Sequence, residues 1–239
     1  MDTAKYKFFD VTVEDQIATA VFNGDDPLNR WALADEHELF SLPDDIAGDD
    51  DVRVLVLTGA GDAFAGGAHH SDDPFEPADY YFRAVDLFRK YLELDKPIVV
   101  AVNGAISGSG LSIALFGDIV VAERHVTFSD PHVAIGVVSA TGSYEWPPNM
   151  GLARARRYLL TGDPFSAEEA RDMGLIAEVV DTGGSVERAM EHARKLASLR
   201  PLGVQATKRA LLRDMRSNYA PVFEHALALE FLTFPEGLY

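Results

Sequence analysis

An α/β core with a helical C-terminal extension is the fold class this sequence predicts, and three observations predict it. Strand-like runs alternate with stretches of helical spacing up to about residue 185. Within Lys96 to Ala122, the β-branched run Ile98 to Val102 ends at Asn103-Gly104, and Gly108 and Gly110 then lead into an apolar stretch without further breakers. That reads as a buried strand, a tight turn and a helix start. From residue 186 nearly every segment has helical character, so the chain divides into a core, 1–185, and a helical region, 186–239.

The elements follow in order. Phe8 to Val13 and Ile17 to Phe22 form a hairpin around Glu14-Asp15-Gln16. Asp25 to Trp31 breaks the pattern, and Leu33, Leu39, Phe40 and Ile46 then fit a helix. Val52 to Leu57 is a strand closed by Thr58-Gly59, followed by a glycine-containing loop, Ala60 to Ser71. Asp72 to Asp79, rich in acid and proline, reads as a lid-like loop. Tyr81, Val85, Phe88 and Leu92 have helical spacing; Val126 to Ser129 is a strand, and Asp130-Pro131-His132 opens a loop through Gly136, Thr141 and Gly142. Helices follow at Ala153 to Leu160 and Ser166 to Met173, the latter with Ser166 and Glu169 as a capping box. After a short strand, Ile176 to Val180, come helices at Val186 to Leu199, Val204 to Met215 and Pro221 to Leu232. The apolar tail, Phe231 to Tyr239, packs on its own domain or on a partner subunit.

Composition excludes several classes of chemistry. A net charge of −17 argues against nucleic acid, whose phosphates call for a basic face. No apolar window approaches the length of a membrane span and the first residues lack a hydrophobic signal core, so we expect a cytoplasmic protein. With no cysteine, disulfides, thiolate nucleophiles and Cys-ligated metals are excluded. Chemistry must use His, carboxylates, hydroxyls or backbone. The acid runs Asp44-Asp45 and Asp49 to Asp51 read as solvated surface. The basic clusters, Arg154 with Arg156 and Arg157, and Lys208 with Arg209, Arg213 and Arg216, read as an anion site or as solvated helix faces. Glycine turns before helix starts let backbone N–H groups approach a ligand, or are ordinary connections.

In order and spacing these pieces resemble the crotonase superfamily of enoyl-CoA hydratases and isomerases, from about Val11 to the C-terminus. The segments that carry the resemblance are Leu28-Asn29, Val54 to Gly59 with Ala63 to Ala68, Lys96-Pro97 through Asp118-Ile119, Gly151 to Arg157 with Leu160 to Gly162, Ser166 to Ala170, and Gly174 to Val179. The resemblance implies a spiral of ββα turns with a helical C-terminal trimerisation region, and homotrimers or dimers of trimers. It implies a small-molecule substrate, an acyl-CoA whose coenzyme is part of the substrate, with no separate cofactor and no metal. It also implies a thioester carbonyl held by two backbone N–H groups, matched here by Ala68 and Ser109, each such donor being worth roughly 3 kcal/mol. Ala65, Gly67, Gly108 and Gly110 shape that site, and Trp31, His69 and Thr141 border it. His69-His70 lacks a third ligand at metal spacing.

The sequence departs from the family where hydratases place two glutamates. Ser112 and His132 stand there, and Ser139 to Thr141, where some relatives carry an aspartate, has no carboxylate. Water addition needs an acid and a base, so ordinary hydratase turnover is expected to be absent or slow. His132 is then the titratable group at the reaction centre, with Ser112, Asp130 or Glu145 to orient it; Glu36 and His37 sit near the rim. A partial resemblance to the β-diketone hydrolases typified by 6-oxocamphor hydrolase rests on Asp130-Pro131-His132, Trp31, Trp146-Pro147 and Glu224 to Leu227. Three readings follow: an acyl-CoA enzyme with His132 as base, a carbon–carbon hydrolase of diketones, and a silent member kept for binding or assembly.

Overall fold

The computed structural model describes residues 1–68 and 77–234. Its centre is a six-stranded sheet: β1 (Phe9–Glu14), β2 (Ile17–Phe22), β3 (Val54–Gly59), then three strands met further along the chain. Between them a short strand, β4 (Ala63–Ala65), leaves the sheet. The central strand, β5 (Ile98–Val102), is followed by a second short one, β6 (Ala105–Ile106), and the sheet is completed by β7 (Ile119–Glu123) and an edge strand near residue 180. The first pair is the expected hairpin and every later pairing is parallel. All five residues of β5 are buried, as a parallel strand covered on both faces requires.

The spiral comes from two tight corners. After β3 and after β5 the chain doubles back, so that β4 and β6 pair in parallel as a small second layer. A Cβ at Gly59 would lie 2.0 Å from the Ala63 carbonyl oxygen, and one at Gly104 would lie 2.0 Å from the Asp62 carbonyl oxygen. No other residue fits there. Two asparagines hold these corners: Asn29 donates to the carbonyls of Ala60 and Ala63, each at 3.0 Å, and Asn103 exchanges bonds with the Gly59 N–H and carbonyl at 3.1 and 3.0 Å.

Helices cover both faces: α1 (Glu36–Gly48), α2 (Pro77–Glu93) and α3 (Gly108–Leu115) lie on the side of the main core. A further strand pair, β8 (Thr127–Phe128) with β9 (Phe165–Ser166), frames α4 (Ala140–Met150) and α5 (Leu152–Thr161). Next, α6 (Ala167–Met173) carries the expected capping box, and β10 (Glu178–Val180) is the edge strand. The opposite face of the sheet is closed by α7 (Ser185–Ser198), whose Ala189, Ala193 and Ala197, four apart, pack on Val54, Val56, Val99 and Ala101. The chain ends in α8 (Pro201–Leu211), α9 (Arg213–Ser217), a π-helical turn over Tyr219–Glu224 and α10 (His225–Thr233). No helix among the described residues is long and apolar enough to cross a membrane.

The expected helix start after Gly110 is α3, which ends at Leu115; the chain turns at Gly117, and Ile119 starts a strand. A Cβ at Gly117 would press on Val100 at 2.4 Å, so glycine is what fits at this turn. Thr141 and Gly142 are not in a loop but open α4, whose two prolines, Pro147 and Pro148, sit in its second half and hid it. The long helix expected at Val204 to Met215 is two helices, broken at Leu212. Residues 72–76 of the lid-like segment, His69-His70 and the tail beyond Phe234 lie outside the described residues, and Asp79 already belongs to α2.

Candidate active site

A cavity of about 280 Å³ opens between the two glycine corners and the C-terminal helices, and its wall includes Gly66, Ala68, Gly108, Ser109, Ser112, His132, Thr141 and Glu230. The corners meet by backbone. Trp31 donates its N–H to the Gly67 carbonyl at 3.1 Å, and Ser107 donates to the Ala65 carbonyl at 3.2 Å, which ties the residue 65–68 segment to the start of α3. Gly67 has φ +88°, and a Cβ there would stand 2.9 Å from both the N and the Oγ of Ser109. A Cβ on Gly110 would lie 2.3 Å from the Ala65 carbonyl oxygen. Glycines are therefore needed at 67 and 110 for the two backbones to touch.

The first intrahelical bond of α3 is Leu111 N–H to the Ser107 carbonyl, so the N–H groups of Ser109 and Gly110 precede the helical ladder. Ser107 does not cap them; its hydroxyl donates to the Gly66 carbonyl at 3.2 Å. The Ala68 N–H donates to the Ser109 hydroxyl at 2.9 Å. That oxygen stands where an acceptor would take the amide hydrogen, so the Ser109 side chain is a direct participant in the geometry rather than a bystander.

On the facing wall, Asp130 organises three groups. It is 7 % exposed; its Oδ1 accepts from the His132 Nδ1–H and, at 3.2 Å, from the His132 backbone N–H, while its Oδ2 accepts from the Ser139 hydroxyl. Ser139 in turn accepts the Gly142 N–H at 3.1 Å and so caps α4. Burial works to raise the Asp130 pKa, but the imidazole and Ser139 outweigh it and hold the carboxyl below its usual range. Burial likewise opposes a charged His132, yet Asp130, with help from Glu230, raises its pKa above the ordinary value. With Nδ1–H committed to Asp130, Nε2 is the nitrogen left to exchange protons.

Of the three candidate orienters, Asp130 is the one that touches His132. Glu145 is fully buried, outside the cavity wall, and its Oε1 has no partner among the described residues; burial and then the Asp130 charge push its pKa well above the usual range. The Ser112 hydroxyl donates to the Thr141 hydroxyl at 2.7 Å, and both line the cavity without titrating. His37 is exposed and bonds the Ala34 carbonyl, whereas Glu36 borders a narrow extension of the cavity together with Trp31. His69 lies outside the described residues.

Sequence reasoning missed Glu230. It sits on α10, 8 % exposed, accepts the Ala140 N–H at 2.9 Å and faces the same cavity as His132. Burial pushes its carboxyl up to about 7, against the opposing pull of His132. The only signal in the sequence was a lone acid in an otherwise apolar helical stretch. The basic cluster is largely engaged within the chain: Lys208 pairs with Asp118 at 2.7 Å, Arg209 contacts Asp95, and Arg216 reaches the same Asp95 at 3.0 Å.

Residues 13–234 match the enoyl-CoA hydratase/isomerase family. The chain is 32 % identical over 222 residues to (E)-benzylidenesuccinyl-CoA hydratase of Thauera aromatica, covering 90 % of this chain and 87 % of that one. It is 34 % identical over 208 residues to 1,2-epoxyphenylacetyl-CoA isomerase of Escherichia coli K12, covering 83 % and 79 %. Among solved structures, an enoyl-CoA hydratase/isomerase from Mycobacterium paratuberculosis superposes with a TM-score of 0.87 at 30 % identity, over 95 % of this chain and 93 % of that one. The chain belongs to the enoyl-CoA hydratase/isomerase family of the crotonase superfamily.

Proposed function

We propose that this chain binds an acyl-CoA thioester with its carbonyl oxygen at the Ala68 and Ser109 amides, and that it forms and quenches the thioester enolate with His132 and Glu230. The observation that supports this most is the sharing of one cavity by those two amides, an imidazole held by Asp130, and a carboxyl whose pKa is pushed up to about 7. Two backbone donors aimed at a developing oxyanion lower the barrier to enolate formation. In its unprotonated form His132 accepts a proton at Nε2 while Asp130 fixes its Nδ1–H; Glu230, neutral over part of the physiological range, returns one. The pair would take over the acid and base roles for which hydratases use two glutamates, so slow water addition or double-bond migration both fit. This chemistry calls for no cofactor beyond the CoA carried by the substrate. Assembly into trimers or dimers of trimers belongs to the same reading and is supported by the exposed side chains of Leu202, Leu211 and Leu232.

The internal pairing of Lys208, Arg209 and Arg216, together with the net charge of −17, favours a second reading, hydrolysis of a CoA-free diketone in the same cavity. Titration calorimetry with CoA, acetoacetyl-CoA and a bicyclic 1,3-diketone separates them. Binding of both CoA compounds supports the first reading; binding of the diketone alone overturns it in favour of the second.

A further inference from the structure

Beside the candidate active-site cavity, and sharing Ala68 and Ser109 with its wall, lies a narrow extension of about 20 Å³ whose lining also includes Trp31, Glu36 and Arg83. A space of that size holds about one oxygen-sized group. Trp31 is 1 % exposed and its indole Nε1–H has no acceptor among the described residues. The Nε–H of Arg83 is buried in the same condition, while its terminal nitrogen reaches Glu36 Oε2 at 3.5 Å. Buried N–H groups without acceptors are rare and costly in folded proteins, and two such groups on residues that line one small opening point to an acceptor that arrives with a ligand.

The indole is held rigidly. Phe22 stacks on it at 6.3 Å with a 21° tilt, Phe8 meets it edge-on at 6.3 Å, and the Trp31 main chain is bonded to Gly67, next to the Ala68 amide. The charge of Arg83 is balanced by Glu36 beside it, so the site offers donors without net positive charge. An uncharged oxygen suits it better than a carboxylate, which would face Glu36.

Resting on the acyl-CoA reading above, we propose that this extension binds a keto oxygen on the acyl chain, so that the substrates are oxoacyl thioesters rather than hydrocarbon acyl thioesters. Trp31 and Arg83 are then specificity-determining residues that fix the chain while the thioester carbonyl sits at the Ala68 and Ser109 amides.

The test is calorimetry with matched pairs, butanoyl-CoA against 3-oxobutanoyl-CoA and pentanoyl-CoA against 4-oxopentanoyl-CoA, plus succinyl-CoA as a carboxylated control. Wild type should bind at least one oxo compound on the order of tenfold more tightly than its partner without the keto group. That preference should shrink to about twofold or less in Trp31→Phe and in Arg83→Met; the second variant alters a side chain one-third exposed and guards against a folding defect in the first. Equal binding within both pairs, a preference that survives both substitutions, or tighter binding of succinyl-CoA overturns the subsite. Failure of every thioester, the hydrocarbon ones included, overturns the acyl-CoA reading itself.

Discussion

The hydroxyl oxygen of Ser109 lies 2.9 Å from the amide nitrogen of Ala68 and accepts its hydrogen. A thioester oxygen that is to use this amide must displace that hydroxyl. A neutral hydrogen bond of this kind is worth about 1 kcal/mol net. Ser109→Ala should therefore bind acetoacetyl-CoA about fivefold more tightly than wild type in calorimetry. Weaker binding would mean that the hydroxyl itself serves the ligand oxygen.

Gly67 keeps the two amides together. An alanine there must take up φ +88° and place its Cβ 2.9 Å from Ser109 backbone and side chain. Strain of this kind costs about 1–3 kcal/mol. Gly67→Ala should lower the thermal midpoint measurably and weaken acetoacetyl-CoA binding at least tenfold, whereas Gly61→Ala, also at positive φ but with open space around it, should lose stability only.

Asp130 sets both the tautomer and the basicity of His132. In an NMR titration of the imidazole, the wild-type pKa should lie above that of Asp130→Asn, because the substitution removes the charge that raises it. Turnover in the variant should fall by up to about 10⁴-fold, the scale of loss when an aspartate that orients a catalytic imidazole becomes asparagine.

Glu230 makes stability depend on pH with a definite sign. Its folded pKa, about 7, stands above the ordinary value of 4.5, so its stabilising contribution is complete below about 4.5 and is lost as pH rises through 7. Glu230→Gln keeps an acceptor for the Ala140 N–H and removes the cost of burying the anion. At pH 8 it should be more stable than wild type, by at most about 3 kcal/mol, with the gain vanishing near pH 4. The alkaline limb of the wild-type rate profile, set by loss of the Glu230 proton near 7, should disappear in the same variant.

Much of the fold was legible because the parallel strands are continuous apolar runs and the corners carry glycines that nothing else can replace. Ser166-Ala-Glu-Glu spelled out its own capping box. The start of β7 was not legible, because Ile119 to Ala122 continues the apolar composition of α3 across the turn at Gly117. For the site, the residue 65–68 and 107–110 loops and His132 could be found from motif order. Glu230 could not: it is nearly 100 residues from His132 in sequence, and α10 meets α4 only in three dimensions. The pairing of Lys208 and Arg209 was hidden for a related reason, since their partners Asp118 and Asp95 lie far upstream.

The central claim is that His132 moves the proton when an enolate forms above the Ala68 and Ser109 amides. Exchange of the α-hydrogen of a bound saturated acyl-CoA into deuterated water, followed by mass spectrometry, reads that step alone. Wild type should exchange, and His132→Gln should exchange about 10²- to 10⁴-fold more slowly while calorimetry shows the thioester still bound. Exchange at the wild-type rate in His132→Gln would contradict the account.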